Sequence, residues 1–203
     1  METGDPAPLD ATLSIPVVLG SVRNGRQSER PAHLLVERLT ALGCEAPLVD
    51  LRALDLPVYG QHAEAGELDS VGAFQATIAA SDAAIVLTPE YNHSFTSAIK
   101  NAIDYLHSEL RRKPVAVCGL SGGGLGGARA VEQLKLVLIE LHAIPIRDSV
   151  YFSDARGLFD DQGVLSRPEY IGRIDDLVGE LIWYARALKW ARASVPLPVK
   201  HPR

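Results

Sequence analysis

The turn that organises this chain reads Ser21-Val22-Arg23-Asn24-Gly25-Arg26-Gln27-Ser28. It follows an apolar run, Leu13–Leu19, whose length and composition predict a buried strand. An amphipathic run with leucines at helical spacing comes next, Pro31–Leu42, and predicts a helix. The quoted stretch is therefore a strand-to-helix turn that is rich in hydroxyls, arginines and glycine.

The composition of this turn suits an anion such as a phosphate. A helix N-terminus presents unpaired N–H groups and the positive end of the helix dipole. Ser21 and Ser28 supply hydroxyl donors, and Arg23 and Arg26 supply charge and a fork geometry. The alternative is an ordinary strand–helix loop in which Ser28 only caps the helix. Because the turn lacks a Gly-Lys-Ser/Thr motif, a monophosphate suits it better than a nucleoside triphosphate.

Length and composition describe one ordinary globular domain. The chain has 203 residues, of which 47% are hydrophobic and 22% are charged, enough for a well-buried core. The formal net charge of −5 argues against a nucleic-acid surface. Cys44 and Cys118 form no Cys-x-x-Cys pair and the six histidines are scattered, so neither a disulfide nor a metal site is expected. No Gly-x-Ser-x-Gly elbow supports a serine hydrolase.

The sequence also bears on cellular location. No stretch approaches the length of a membrane span, and the first residues lack the basic-then-apolar order of a signal peptide. Together with the unpaired cysteines, this pattern predicts a cytoplasmic protein without a membrane partner.

Strands and helices alternate along the rest of the chain. Further strands are expected at Glu45–Leu51, Asp82–Leu87, Pro114–Leu120 and Ile144–Phe152. Further helices are expected at Leu68–Ala80, Phe95–Leu110, Ala128–His142 and Pro168–Arg192. Residues 1–12 are expected to form a flexible tail, residues 13–192 a single domain, and residues 193–203 a proline-rich tail. The connections 54–66 and 153–167 are long loops to which no role is assigned.

This alternation predicts a doubly wound α/β fold. We expect a five-stranded parallel sheet in the flavodoxin-like order 2-1-3-4-5, with helices on both faces. Ligands of such sheets bind at the carboxyl ends of the strands, where the strand order reverses. Three unusual turns follow strands one, three and four, namely Ser21–Ser28, Thr88–Asn92 and Ser121–Gly127. Because these strands are neighbours in the predicted order, the three turns converge on one crevice.

Three motifs, in this order, resemble the NAD(P)H-dependent FMN reductases, which are flavodoxin-like quinone, azo-dye and chromate reductases. The motifs are Gly20-Ser21-x-Arg23 with Ser28, Pro89-Glu90-Tyr91-Asn92, and Ser121-Gly122-Gly123 with Gly126-Gly127-x-Arg129. The second motif, which is followed by Lys100–Asp104, is the most specific. The resemblance covers roughly residues 13–152.

The resemblance implies one non-covalently bound FMN per subunit, with NAD(P)H as the co-substrate. The phosphate of FMN would lie near four residues of the first turn: Ser21, Arg23, Gln27 and Ser28. The isoalloxazine ring would lie along the second motif and against the glycine run: Pro89, Glu90, Tyr91 and Asn92, and Ser121, Gly122, Gly123 and Gly124. The cofactor carries the chemistry, so no side chain is assigned a catalytic role.

Two finer expectations concern the second motif. Since Pro89 donates no hydrogen bond, the N–H groups of residues 90–92 are expected to face the ring at the end of the strand. The side chain of Glu90 is expected to point away from the ring or to cap the next helix.

Both later motifs have alternative interpretations. The second could be a plain turn in which Tyr91 only packs, and the glycine run could be a flexible turn. The spacing Gly122-x-Gly124-x-x-Gly127 also matches a dinucleotide-binding pattern, with Asp148 placed for a ribose contact. That pattern belongs in the first strand–helix turn, whereas this run follows the fourth strand.

The expected function is that of an NAD(P)H oxidoreductase that passes hydride from NAD(P)H to FMN and then to a quinone, azo, metal-oxyanion or flavin acceptor. The alternatives are a flavodoxin-type electron carrier and a flavin-binding regulatory module, neither of which turns over NAD(P)H. The helix Ala128–His142 is apolar nearly all round, so we expect a second subunit to cover one side of it in a homodimer or homotetramer.

Overall fold

The computed structural model describes residues 11–61 and 68–196. A parallel sheet of six strands forms its centre, in the order β2-β1-β3-β4-β5, with β6 also pairing with β4. The strands are β1 Val17–Leu19, β2 Leu48–Asp50, β3 Ala84–Pro89, β4 Pro114–Leu120, β5 Ile144–Pro145 and β6 Tyr151–Phe152. The predicted α/β class and strand order are confirmed.

Six helices surround this sheet. They are α1 Glu29–Ala41, α2 Leu51–Leu54, α3 Leu68–Ala80, α4 Ser97–Asp104, α5 Ala128–Glu140 and α6 Glu169–Ser194. None of the helices in the described ranges is long and apolar enough to cross a membrane. The predicted tails lie largely outside the described residues, as do residues 62–66 of the loop 54–66.

Two apolar cores cover the two faces of the sheet, because successive side chains of a strand point to opposite faces. Ile85 and Leu87 of β3 pack with α1 and α6, whereas Ala84 and Val86 pack with α3, α4 and α5. Every residue of β3 and β4 is buried, which is why both strands read as continuous apolar runs. Helices therefore lie on both faces, as expected.

The predicted fifth strand is split into two short ones. After Pro145 the ladder on β4 stops, and it resumes at Tyr151. Arg147 and Asp148 lie between the two parts and pair with each other at the surface, 3.2 Å apart. Charged side chains in the middle of an otherwise apolar run pull the chain away from the sheet and interrupt the pairing.

Two other predicted boundaries also differ. The regular ladder of β1 covers Val17–Leu19 instead of the whole run from Leu13, because Pro16 offers no N–H to β3. Leu13 and Ile15 still exchange backbone hydrogen bonds with Glu45, at 2.8 Å each. Helix α4 ends at Asp104 instead of Leu110, since the carboxylate of Glu109 takes the N–H groups of His107 and Ser108, at 2.6 and 2.8 Å. The local side-chain acceptor replaces the helical one.

Candidate functional site

A crevice of about 440 Å³ opens at the carboxyl ends of β1, β3, β4 and β6. The three predicted turns meet there. The predicted site residues that line it are Ser21, Arg23, Gln27, Ser28, Pro89, Glu90, Tyr91, Ser121 and Gly122. Asn92, Gly123 and Gly124 were predicted with them but do not line this cavity. The convergence of the three turns is thus found at the expected edge of the sheet.

The first turn is seated tightly against α4. A Cβ atom added to Gly20 would lie only 2.1 Å from Cδ1 of Ile99, so a side chain has no room there. Thr96, the N-cap of α4, donates from Oγ1 to the carbonyl of Gly20 at 2.6 Å and accepts from the N–H of Ile99. This single hydroxyl couples the start of α4 to the residue before Ser21.

The hydroxyl of Ser28 is buried and unsatisfied. Ser28 is 0% exposed, and its Oγ has no partner among the described residues. It precedes α1 without making a side-chain capping bond. The alternative in which this serine only caps the helix is therefore not what the structure shows. A buried hydroxyl lining a cavity calls for a polar group in that cavity.

The two arginines of the turn have different surroundings. Arg26 donates two hydrogen bonds to the carboxylate of Asp50, from Nη1 to Oδ1 at 2.6 Å and from Nη2 to Oδ2 at 2.5 Å. It also donates a hydrogen bond to the carbonyl of Ser21 at 2.9 Å. The hydrogen bond to Asp50 raises the pKa of Arg26, and the same bond lowers the pKa of Asp50. The interpretation that both arginines serve an anion is thus wrong for Arg26, which braces the turn. Arg23 is exposed and has no partner among the described residues.

The second turn is a tight hairpin. The N–H of Tyr91 donates to the carbonyl of Ser94, and that of Ser94 donates back, at 2.9 and 3.0 Å. Asn92 and His93 both have positive φ, +50° and +66°, as a type I′ turn requires. The N–H of Glu90 donates to the carbonyl of Leu120 at 2.8 Å. The expectation of free N–H groups is therefore wrong for residues 90 and 91, because backbone acceptors have taken them.

A side-chain contact joins the first two turns. The Oγ of Ser21 and the phenolic oxygen of Tyr91 lie 3.2 Å apart. Ser21 is 1% exposed, whereas Tyr91 is 39% exposed and lines the crevice. The tyrosine thus keeps its hydroxyl on the first turn and leaves much of its ring accessible.

Glu90 does not cap the following helix, because Thr96 holds that position. Glu90 is one of the residues around the crevice, and its side chain is 5% exposed. Arg129 directs two donors onto one carboxylate oxygen, Oε1, with its Nε at 2.7 Å. The other oxygen, Oε2, is buried and has no partner among the described residues.

The glycine run divides into two parts. A Cβ added to any of Gly122, Gly123 or Gly124 would project into open space, so these residues leave room beside the crevice. Gly126 and Gly127 have positive φ and pack too closely on Tyr151 and β4 for a side chain. The dinucleotide pattern lacks support, since Asp148 pairs with its neighbour and does not line the cavity.

Sequence reasoning missed a fourth wall of the crevice, Asp154, Ala155 and Arg156. This turn follows β6 and hydrogen-bonds to the glycine run: Ala155 N–H donates to the carbonyl of Ser121 at 3.0 Å, and Asp154 N–H to that of Gly123 at 3.3 Å. The signal was topological, because the last strand ends at the same edge as the other three. Nothing in the composition of the loop 153–167 marked these three residues.

Other reactive groups lie outside this site. Burial raises the pKa of the Cys118 thiol to about 12 and also raises the pKa of Cys44. Both are free thiols within the core. Within residues 11–61 and 68–196, no group of three or more histidine, cysteine, aspartate or glutamate residues is arranged for a metal ion.

Comparison with known proteins places this architecture in a family. The family model for NADPH-dependent FMN reductase matches residues 13–157. An NADPH azoreductase of Bacillus sp. (strain OY1-2) is 30% identical over 169 residues, which is 83% of this chain and 93% of the relative. An NAD(P)H-dependent FMN reductase of Pseudomonas aeruginosa is 33% identical over 171 residues, covering 81% of this chain and 86% of that protein.

A solved structure agrees at the level of the fold. FerB, a flavoenzyme NAD(P)H:(acceptor) oxidoreductase from Paracoccus denitrificans, superposes with a TM-score of 0.73 at 24% identity, covering 87% of this chain and 98% of that one. The family model spans the three turns and the wall at residues 154–156. The chain therefore belongs to the NADPH-dependent FMN reductase family.

Proposed function

We propose that the crevice holds FMN and that NAD(P)H and a small-molecule electron acceptor use it in turn. Membership of the family makes the protein an FMN-dependent NAD(P)H oxidoreductase. The observation that carries the placement is the buried, partnerless hydroxyl of Ser28 beside the exposed Arg23, with open space across the crevice at Gly122–Gly124. A phosphate at one end and a flat ring at the other match these surroundings.

The first turn holds the phosphate in this proposal. Arg23, Gln27 and the hydroxyls of Ser21 and Ser28 line the end of the crevice formed by the turn between β1 and α1. An arginine can meet phosphate oxygens with two parallel N–H groups, and a serine hydroxyl can donate a third bond. Arg26 contributes indirectly, since its contacts with Asp50 and the carbonyl of Ser21 keep the turn closed.

The ring lies between the second turn and the glycine run in this proposal. Pro89, Glu90 and Tyr91 form one side, and Ser121 and Gly122 form the other. Asn92, Gly123 and Gly124 remain part of the proposed site at its rim. Because a Cβ at residues 122–124 would enter open space, the absence of side chains there lets a planar ring approach the backbone.

FMN, when bound, supplies the hydride chemistry, and the protein supplies binding and orientation. The contact of Ser21 with Tyr91 fixes the relative position of the phosphate turn and the ring turn. The crevice remains open to solvent, so the nicotinamide and the acceptor can occupy the same exposed face one after the other. The acceptors we propose are a quinone, azo, metal-oxyanion or flavin compound; two relatives are named azoreductase and quinone reductase.

One experiment separates the reductase from an electron carrier or a regulatory flavoprotein. The flavin is released from the purified protein by denaturation and identified by chromatography. NADPH is then added to the holoprotein without air, followed by a quinone. We expect FMN, bleaching of its visible absorption, and recovery of the colour with the quinone. FAD in the extract, or a spectrum that NADPH and NADH leave unchanged, would contradict the proposal.

The proposal also covers the oligomeric state and the cellular location. We propose a homodimer or homotetramer, supported by large apolar side chains that α5 leaves exposed, Leu136 at 70% and Ile139 at 57%. We also propose a cytoplasmic location, which two free, buried cysteines suit.

A further inference from the structure

Two tryptophans of the last helix, α6, face solvent. Trp183 is 63% exposed and Trp190 is 44% exposed. They lie seven positions apart, which is two turns, and therefore share one face of the helix. The opposite face packs on the sheet through residues such as Ile174, Leu181 and Ala185, each fully buried. Aligned tryptophans on the outside of a helix are typical of a contact surface.

Two glycines lie on the same outer face. Gly172 and Gly179 are exposed within α6, and a Cβ atom added to either would meet no atom within 4 Å. Glycine weakens a helix relative to alanine, and nothing within the single chain requires it at these positions. A missing side chain on an outer face does, however, leave room for a large side chain of another helix.

Two charged side chains complete this face. Asp176 and Arg186 are exposed, and neither has an ion-pair or hydrogen-bond partner among the described residues. We call the whole face the outer seam of α6, because its positions step alternately by four and three, as in a coiled coil. The outer seam consists of Gly172, Asp176, Gly179, Trp183, Arg186 and Trp190.

We propose that the outer seam of α6 docks antiparallel on the outer seam of a second copy of this chain. With the two helices centred on each other near residue 181, each tryptophan lies over a glycine of the other copy. Trp183 meets Gly179 of the partner subunit, and Trp190 meets Gly172 of the partner subunit. One contact thus accounts for both exposed tryptophans and both glycines.

The two charges fix the direction of the pairing. In the same antiparallel register, Asp176 of each copy faces Arg186 of the other, so two opposite-charge pairs form. A parallel pairing would instead set aspartate against aspartate and arginine against arginine, which is unfavourable. It would also set tryptophan against tryptophan and leave a gap between the glycines. The outer seam is therefore self-complementary in the way that a two-fold axis requires.

This contact is separate from the apolar side chains that α5 exposes. Helix α6 packs on one face of the sheet with α1, whereas α5 packs on the other face with α3 and α4. A two-fold contact through each face produces a tetramer, one of the two states proposed above. None of the residues of the outer seam lines the crevice, so the inference goes beyond the proposed function and does not require FMN.

Charge reversal tests the register. Asp176→Arg sets arginine against arginine across the contact, and Arg186→Asp sets aspartate against aspartate. Each single variant should raise the dissociation constant of this contact about tenfold, as sedimentation equilibrium measures. The double variant and an equimolar mixture of the two single variants should both restore association. Because the two positions lie about 15 Å apart along one helix, this rescue has to come from a second chain.

Gly179→Leu tests the tryptophan contact independently. Leucine favours a helix more than glycine does and enters open space in the single chain, so circular dichroism should show an intact fold. Its side chain would occupy the space of Trp183 of the partner subunit and should weaken association about tenfold or more. Gly72→Leu is the matched control, since Gly72 is an exposed glycine of α3 with equally open surroundings. Asp69→Arg, also on α3, is the control for charge reversal.

The outcomes are separable from those of the proposed function. A monomeric parent protein, or variants of the outer seam that associate as the parent protein does, would overturn the inference. Single charge variants that neither the double variant nor the mixture rescues would overturn it as well. None of these results bears on the flavin chemistry, which flavin release and reduction by NADPH test on their own.

Discussion

Arg23 and Arg26 belong to the same turn, yet their surroundings differ. Arg26 is held by Asp50, a residue at the end of β2, whereas Arg23 has no partner in the described part of the chain. The sequence shows two equivalent arginines because Asp50 lies 24 positions further along and becomes a neighbour only when β2 pairs with β1. Such a contact depends on the tertiary fold and leaves no local pattern.

We predict that Arg23→Ala weakens FMN binding by about 1.5–3 kcal/mol, the usual range for a hydrogen bond to a charged group. Its unfolding midpoint should match that of the parent protein, since the side chain is exposed and unpaired. Fluorescence titration of the apoprotein measures the affinity. Arg147→Ala is the control, because Arg147 is almost fully exposed and lies outside the crevice. An unchanged dissociation constant for Arg23→Ala would remove this residue from the phosphate site.

Asp50→Asn should show how much the ion pair between Arg26 and Asp50 stabilises the turn. Asparagine can still accept from the N–H of Arg52, as Asp50 does at 3.0 Å, so the substitution isolates the charge. The bond from Arg26 holds the pKa of Asp50 below its ordinary value of 3.8. The ionised carboxylate therefore contributes stability above that pH, and the contribution disappears as the pH falls through the lower, folded-state pKa.

We accordingly expect Asp50→Asn to lower the free energy of unfolding by about 2 kcal/mol at neutral pH. The difference from the parent protein should shrink as the pH falls below the ordinary value of 3.8. Urea unfolding across this range measures it, with Asp148→Asn, at a surface ion pair, as the control. A difference that is the same at every pH would mean that the ion pair is not its source.

At the scale of elements, α4 is tied to the site through its cap. The hydroxyl of Thr96 accepts from the N–H of Ile99 at 3.2 Å and donates to the carbonyl of Gly20 at 2.6 Å, and the residue is 5% exposed. Removing this hydroxyl therefore uncaps the helix and frees the backbone just before Ser21.

Thr96→Ala should lower the free energy of unfolding by about 1–2 kcal/mol, the usual cost of losing an N-cap. It should also weaken FMN binding, because the phosphate turn loses an anchor. Thr96→Ser keeps the hydroxyl and should retain most of both properties. Thermal unfolding and flavin titration of the two variants decide the matter. If both variants lose equal stability, the methyl group and not the hydroxyl is what matters at this position.

The strands that the sequence predicted best are those buried on both faces. β3 and β4 read as continuous apolar runs and fall within a few residues of the expected bounds. The last strand was predicted as one piece because both of its ends, at Ile144 and Phe152, are apolar. The pairing with β4 is nevertheless interrupted around Arg147. The hairpin after Pro89 was missed as well, since Asn92 and His93 are not the Asn-Gly pair that marks a type I′ turn most strongly.

At the scale of the whole molecule, the location of the crevice could be predicted mainly from the order of the strands. The order 2-1-3-4-5 brings the ends of β1, β3 and β4 together, and the crevice lies there. The same rule places the end of the last strand beside them, yet which of its side chains enter the crevice depends on the contacts of Ala155 and Asp154 with the glycine run. Topology therefore predicts where a site lies better than it predicts which residues line that site.

The outer surface carries an apolar patch on α5 and the neighbouring edge strand. Leu134 and Leu138 face the core, whereas Leu136 and Ile139 face outward, 70% and 57% exposed. Ile144 of β5, a strand that contacts α5, is 40% exposed. Two exposed side chains three positions apart lie on one face of a helix. The helix was predicted to be covered on both sides, and in the single chain only its inner side is covered.

We expect the protein to be a dimer or larger at micromolar concentration, with this patch in the interface, because large contiguous apolar surfaces usually mark a contact. Light scattering coupled to size-exclusion chromatography measures the mass. The double variant Leu136→Lys with Ile139→Lys should shift the mass toward that of a monomer while circular dichroism stays unchanged, since both side chains are exposed in the single chain.

Val164→Lys is the control, an apolar residue 60% exposed in a loop away from α5. A monomeric parent protein would contradict the prediction outright. An oligomer that survives the double variant would move the interface to another exposed surface, such as the face of α6 that carries Trp183, which is 63% exposed.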